Sequence, residues 1–89
     1  MPNKTPSEEG KLIGEITHYF GKISVAIIKI TNSLKVGDEI RIVGGEVDFN
    51  QTIKSMEVDH KKIEKAKSGE SVGLKVQEKV REGYKVYKL

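Results

Sequence analysis

The spacing of the apolar residues constrains this fold more than any other feature of the sequence. They occur in short runs, mostly alternating with polar residues and closed by Gly, Asn, Asp or Ser. The runs cover residues 12–20, 23–30, 39–43, 52–58, 72–76 and 84–89. Such alternation is typical of β-strands, and no amphipathic helix is long enough to cover a sheet. The pattern predicts an all-β fold, a small antiparallel Greek-key barrel of six or seven strands over residues 11–89.

Three segments interrupt this pattern. The apolar positions change parity between Ile53 and Met56, which predicts a bulge of the kind that bends barrel strands. Residues 60–66 contain only two apolar side chains, so we expect a single helical turn or a loop there. Residues 1–10 include two prolines and offer nothing to bury, which predicts a disordered tail.

Length and composition narrow the functional classes. A chain of 89 residues gives one domain, and so small a domain has little room for a deep catalytic cleft. The absence of cysteine excludes disulfides, thiolate nucleophiles and cysteine-based zinc sites, and a cytoplasmic location is the natural expectation. No apolar run approaches the roughly 20 residues that span a bilayer. Charged residues make up 33% of the chain, mainly Lys and Glu, a composition resembling that of hyperthermophile proteins.

Several glycines stand where the backbone is expected to turn or bend. Gly37 and Gly69 occupy positions where a tight turn needs a positive φ, and Asp38 can accept hydrogen bonds from turn amides. Gly73 lies inside a predicted strand and indicates a bend or a close backbone approach. We expect these four residues to make the fold rather than to carry an activity.

Three ordered segments resemble the β-barrel that follows the GTPase domain in translation factors such as elongation factor Tu. They are LKVGDEIRI at residues 34–42, TIKSMEV at 52–58 and AKSGESVGL at 66–74. The resemblance implies a binding barrel of that type. The chain has no G-x-x-x-x-G-K-[ST] phosphate loop, so the nucleotide chemistry of those factors is not expected here.

Two further segments are similar to the small C-terminal barrel of collagenase-like peptidase family proteins, some of which act in RNA modification. They are IGEITHYF at residues 13–20 and VDFNQT at 47–52. In that family the barrel is an accessory to a catalytic domain. This second resemblance therefore implies an accessory role.

The charge distribution makes a basic surface one candidate site. Residues 1–60 carry a net charge of −2 and residues 61–89 a net charge of +5. The candidate phosphate-binding side chains are Lys61, Lys62, Lys65 and Lys67. The alternative is an ordinary solvated face, since glutamates are interspersed among the lysines.

Two aromatic segments are the other candidate binding sites. His18, Tyr19 and Phe20 form a cluster at a strand end, where rings can stack on bases or on a partner's side chains. The alternative is that one ring packs in the core and another caps the barrel. A specific contact on an exposed loop would suit Asp48, Phe49 and Gln51. The alternative is that Phe49 fills the barrel while its neighbours form hydrogen bonds with the turn.

No catalytic or metal site is predicted. His18 and His60 are the only histidines, and neither has the further ligands that a metal site needs. No G-x-S-x-G nucleophile pattern occurs. The sequence predicts a binding module without cofactors, which engages RNA or a ribonucleoprotein. The alternative is a protein-interaction subunit of a separately encoded enzyme.

Overall fold

Short strands make up the fold, as the alternating pattern predicts. The computed structural model describes residues 11–45, 47–59 and 61–89, so the predicted tail at residues 1–10 and His60 lie outside the described residues. The strands are β1 (Lys11–Phe20), β2 (Val25–Ile30), β3 (Leu34–Lys35), β4 (Glu39–Gly44), β5 (Val47–Thr52), β6 (Met56–Val58), β7 (Lys61–Ile63), β8 (Lys65–Ala66), β9 (Ser71–Lys75) and β10 (Lys85–Lys88). The all-β prediction is confirmed, with ten short strands in place of six or seven. In these ranges there is no helix of the length and apolarity needed to cross a membrane.

Eight of these strands form one sheet in the order β5-β4-β10-β1-β2-β9-β6-β7, and β3 pairs with β8 in a second, two-stranded sheet. All of the pairings are antiparallel. The last strand, β10, lies between β1 and β4. One end of β10 lies beside Gly44 and Gly45 and the other beside the β3–β8 sheet, and the two grooves described below lie at these ends.

The core lies on the inner face of the curved sheet. Alternation along β2 and β4 points one set of side chains inward. The buried hydrophobic residues are Ile13, Ile16, Ala26, Ile28, Ile30, Leu34, Ile40, Ile42, Ile53, Met56, Ala66, Val72, Leu74, Val76, Val80 and Val86. β-branched residues predominate, which suits a pleated, half-buried surface.

Two segments differ from the sequence expectations. Within the segment expected to be a helical turn or a loop, the described residues 61–66 hold β7 and β8, because these lysine-rich pieces pair with β6 and β3. Residues 52–58 do not form one strand. Ile53 leaves the sheet, donates its N–H to Asp38 O at 2.9 Å and accepts the Gly37 N–H at 2.8 Å. The parity change therefore marks a crossing to the turn at residues 37–38, whereas the register shifts lie in β1.

The turns before β4 and β9 share one design. Gly37 and Gly69 have φ of 99° and 96°, which L residues rarely adopt. In the first turn Asp38 Oδ2 accepts the Lys35 N–H at 3.0 Å, and in the second Glu70 Oε1 accepts the Lys67 N–H at 2.8 Å. Gly73 lies in β9, where an added Cβ would come within 3.3 Å of Ile27.

Candidate functional site

A close contact between Tyr84 and the β4–β5 turn shapes one end of β10. The Tyr84 ring lies directly over Gly44, where a Cβ atom would overlap it, and a Cβ at Gly45 would come within 3.0 Å of the Tyr84 hydroxyl. The backbone here is also fixed, because Ile16 N–H donates to Tyr84 O at 2.8 Å and Gly83 N–H donates to Ile16 O at 2.7 Å. The Tyr84 ring therefore packs against the backbone of Gly44 and Gly45, while hydrogen bonds with Ile16 fix the main chain that carries it.

This ring forms one wall of a groove on the surface of the domain. The groove has a volume of about 840 Å³, and we call it the aromatic groove. Its lining residues are Tyr19, Val47, Lys79, Val80, Arg81, Glu82 and Tyr84. Tyr19 and Tyr84 are partly buried and pack against the core. The groove thus combines an apolar, aromatic floor with a charged rim.

The predicted cluster of His18, Tyr19 and Phe20 is divided between two faces, because successive residues of a strand point to opposite sides. Tyr19 lines the aromatic groove. The rings of His18 and Phe20 lie together on the other face, with centroids 4.4 Å apart. There His18 Nδ1 is 3.4 Å from Glu82 Oε2, both side chains being more than half exposed. Among the described residues, no three or more His, Cys, Asp or Glu side chains are grouped to hold a metal ion.

A different groove lies at the other end of β10. In the small β3–β8 sheet, Leu34 pairs with Ala66 and Lys35 with Lys65. Leu34 and Ala66 are buried, so the two lysines face outward. The groove beside them has a volume of about 340 Å³ and is lined by Ser33, Leu34, Lys35, Asp38, Lys65, Ala66, Lys67 and Lys88. We call it the lysine groove.

Asp38 is the carboxylate of the lysine groove, and its side chain is only 9% exposed. One of its oxygens, Oδ2, lies 3.3 Å from Lys88 Nζ and accepts the Lys35 N–H. This carboxylate therefore fixes the turn and positions the Lys88 ammonium group.

The four lysines predicted as a basic patch do not all lie together. Lys65 and Lys67 line the lysine groove, where they join Lys35 and Lys88. Lys61 and Lys62 lie on the edge strand β7, where Lys62 is in register with Glu57. Sequence reasoning missed Lys35, because only long-range strand pairing brings it to this groove.

The segment with Asp48, Phe49 and Gln51 is strand β5 rather than a loop. Arg41 donates from Nε to Asp48 Oδ1 at 2.7 Å and from a terminal nitrogen to Oδ2 at 2.6 Å. These hydrogen bonds lower the pKa of the Asp48 carboxyl; burial opposes the shift, and the Arg41 charge adds to it. Phe49 packs against the core.

Gln51 is the buried polar residue of the described part, 7% exposed. Its Nε2 donates to Lys75 O at 2.8 Å, and its Oε1 accepts the Gln77 N–H at 2.9 Å. The side-chain amide thus joins β5 to the end of β9 and the residues after it, elements that are not neighbours in the described sheet. Both ends of the amide are hydrogen-bonded to backbone groups rather than facing solvent.

Comparisons with known proteins agree on the kind of domain. A sequence profile for the peptidase family U32 C-terminal domain matches residues 8–84. Over 78 residues the chain is 44% identical to an uncharacterized protease of Methanocaldococcus jannaschii and 32% identical to a collagenase of Porphyromonas gingivalis. These alignments cover 86% and 85% of the chain, but only 19% and 22% of those proteins. The chain therefore spans about a fifth of the length of the curated relatives it matches.

The fold is similar to a solved structure of the same domain type. The C-terminal domain of a putative U32 peptidase from Geobacillus thermoleovorans, as its selenomethionine variant, superposes with a TM-score of 0.84 at 21% identity. The match covers 88% of this chain and 99% of that one. These comparisons confirm the resemblance to the collagenase-like peptidase barrel and give no support to the resemblance to elongation factor Tu.

Proposed function

This chain belongs to the family of peptidase U32 C-terminal domains, and from that premise we propose that it is a non-catalytic accessory domain which docks onto the catalytic part of a U32-type enzyme. The observation that carries the proposal is the extent of the match. The family profile covers residues 8–84, whereas about four-fifths of each curated relative lies outside the aligned region. The names of those relatives, a protease and a collagenase, describe the longer proteins.

The aromatic groove is the surface that best suits such docking. Its floor is formed by Tyr19, Tyr84, Val47 and Val80, and tyrosine is enriched in the cores of protein interfaces. The Tyr84 ring is already fixed against Gly44, so binding would cost little conformational entropy. The occupant that we propose is the catalytic part of the enzyme, in the same polypeptide or in a separate one.

Binding to a truncated relative tests this proposal. The Methanocaldococcus jannaschii relative would be produced without the 78-residue segment that aligns here, and the present chain titrated onto it by isothermal calorimetry. We expect saturable one-to-one binding. Replacing Tyr19 by Ser should weaken it by at least about tenfold, since truncating an aromatic interface residue typically costs more than 1 kcal/mol.

The matched control is Tyr87→Ser, since Tyr87 is also half-buried but does not line the aromatic groove. Circular dichroism would show that both variants are folded. Equal losses of affinity in the two variants would show that the interface does not lie at the aromatic groove. Circular dichroism of the truncated relative, compared with that of the intact relative, would show whether it is folded. If it is folded and the unchanged chain does not bind it, docking is contradicted altogether.

RNA binding is the second candidate function, and the exposed lysines support it. Lys61, Lys62, Lys65 and Lys67 are all exposed, and none forms an ion pair with another described residue. Replacing all four by Gln should weaken binding to single-stranded RNA. The slope of log affinity against log salt should flatten by roughly 0.7 per lost contact. Equal affinity and slope in the variant would reject this role for the four lysines.

A further inference from the structure

We propose that the lysine groove is a phosphate-binding site, in which Lys35, Lys65, Lys67 and Lys88 contact the phosphate oxygens. The inference is independent of docking through the aromatic groove, which lies at the opposite end of β10. It also differs from the RNA candidate above, because it names a different set of lysines and accepts either of two phosphate sources, a nucleic-acid backbone or a free phosphate compound.

The first argument is the direct opposition of two like charges. Lys35 and Lys65 are paired across the β3–β8 sheet, and like charges at opposed positions destabilise a strand pair. Their register is set by burial of the neighbouring Leu34–Ala66 pair. The fold therefore places the two lysine side chains next to each other on one face of the strand pair, and within the described residues neither forms an ion pair.

The second argument is the charge balance of the groove. Four lysines and one carboxylate line it, which leaves a net charge of +3. Asp38 is already engaged by Lys88 Nζ and the Lys35 N–H. Glu64 and Glu70, each three residues from Lys67 along the chain, do not line the groove, and Glu70 Oε1 accepts a backbone N–H in the turn. Uncompensated charge in a concave surface attracts anions.

The third argument concerns the type of anion. Lysine binds phosphate as a flexible point charge, whereas arginine favours planar, bidentate contacts. Among the described residues no arginine lines the groove, and Ser33, which does, carries a hydroxyl as a neutral donor. Lys88 is positioned in advance by its contact with Asp38. The groove is therefore suited to phosphate groups, which carry several negative charges, and not to sequence-specific contacts with the edges of nucleic-acid bases.

The experiment compares two double variants of equal charge. Lys35→Gln/Lys65→Gln removes the opposed pair, and Lys22→Gln/Lys54→Gln removes two exposed lysines that do not line the groove. Binding of a fluorescent single-stranded RNA 12-mer would be followed by anisotropy at low salt. Tripolyphosphate and inorganic phosphate would be titrated in competition and, separately, by calorimetry.

We expect the groove variant to lose about tenfold in affinity for tripolyphosphate or RNA and the control variant less than about threefold. The groove variant should also have an equal or higher melting temperature at low salt, because the repulsion between Lys35 and Lys65 is removed. Binding of tripolyphosphate without RNA binding would support the groove and identify a free phosphate compound as its ligand. RNA binding that competes with tripolyphosphate would support it with a nucleic-acid source.

Three results would overturn the proposal. Equal losses in the two variants would mean that only the overall charge attracts phosphate. Absence of binding of every phosphate probe by the unchanged chain at low salt would show that the groove is an ordinary solvated surface. If Lys61→Gln/Lys62→Gln lost RNA binding while the groove variant kept it, the RNA candidate function would be supported and the groove would be rejected as the phosphate site.

Discussion

The two ends of β10 differ in how they are built. Tyr84 and Lys88 are four residues apart, roughly 13 Å along a strand. At the Tyr84 end, the ring and backbone are in such close contact that a Cβ at Gly44 has no space, whereas a Cβ at Gly37, near the other end, would meet nothing within 4 Å. One end is therefore determined by packing and the other by turn geometry and charge.

This difference predicts how each end responds to change. A tightly packed site loses stability when side-chain volume changes, because the neighbouring atoms cannot move apart without cost. An exposed charged site changes its ligand affinity while the fold stays intact. Variants at the two ends should accordingly separate effects on stability from effects on binding.

The largest expected effect is that of Gly44→Ala, which tests the packed end. The new methyl group would overlap the Tyr84 ring, and overpacking of this kind typically costs about 1–3 kcal/mol. We expect a loss at the upper end of that range, measured by urea unfolding. In a Tyr84→Ala background the same change should cost less than about 1 kcal/mol, because the overlap is gone. Equal costs in both backgrounds would contradict the packing argument.

Gln51→Leu should have the next largest effect. It removes the two hydrogen bonds that the amide makes with Lys75 O and the Gln77 N–H, each worth about 0.5–1.5 kcal/mol in net stability. We expect a loss of about 2 kcal/mol in unfolding free energy. Since β5 also carries Val47 of the aromatic groove, binding there should weaken, while phosphate binding should not. A loss confined to phosphate binding would be the opposite of this expectation.

Asp38→Asn tests how the carboxylate of the lysine groove affects phosphate binding at the charged end of β10. The amide oxygen can still accept the Lys35 N–H, while the negative charge beside Lys88 is removed. Tripolyphosphate affinity should rise about fivefold, because one unit charge at contact distance in water is worth about 1 kcal/mol. Calorimetry measures the change. An unchanged or weaker affinity would mean that phosphate does not approach Asp38.

Much of the sheet was predictable from the alternation of apolar residues. The runs at residues 12–20, 39–43 and 72–76 correspond closely to β1 (Lys11–Phe20), β4 (Glu39–Gly44) and β9 (Ser71–Lys75). Strand β5 was not predicted, because one of its inward positions holds Gln51, which breaks the apolar pattern. The lysine-rich strands β7 and β8 were missed because pairing with distant strands, rather than their own composition, makes them extended.

The grooves were less predictable than the strands. Neighbours along the chain, such as Tyr19 or Lys65 and Lys67, could be proposed from local composition. Tyr84 could not, because its place depends on β10 inserting between β1 and β4. Local patterns predict strands, whereas the prediction of a groove also requires knowledge of the order of the strands in the sheet.

The smallest expected effect concerns Asp48, which lies in neither the aromatic nor the lysine groove. Its hydrogen bonds with Arg41 hold the pKa of this carboxyl below its ordinary value of 3.8. The unfolded chain then binds more protons than the folded chain between the two pKa values, so stability rises with pH in that window. The contribution is complete above the ordinary value and is lost as the pH falls through the lowered folded value.

Asp48→Asn should therefore melt at a lower temperature than the unchanged chain near neutral pH, with the difference shrinking in acid. Glu78→Gln, which removes an exposed carboxylate without an ion pair to any described residue, should show little difference at any pH. A constant difference for Asp48→Asn down to acid pH would show that the hydrogen-bonding geometry, rather than the ionised pair, supplies the stabilisation.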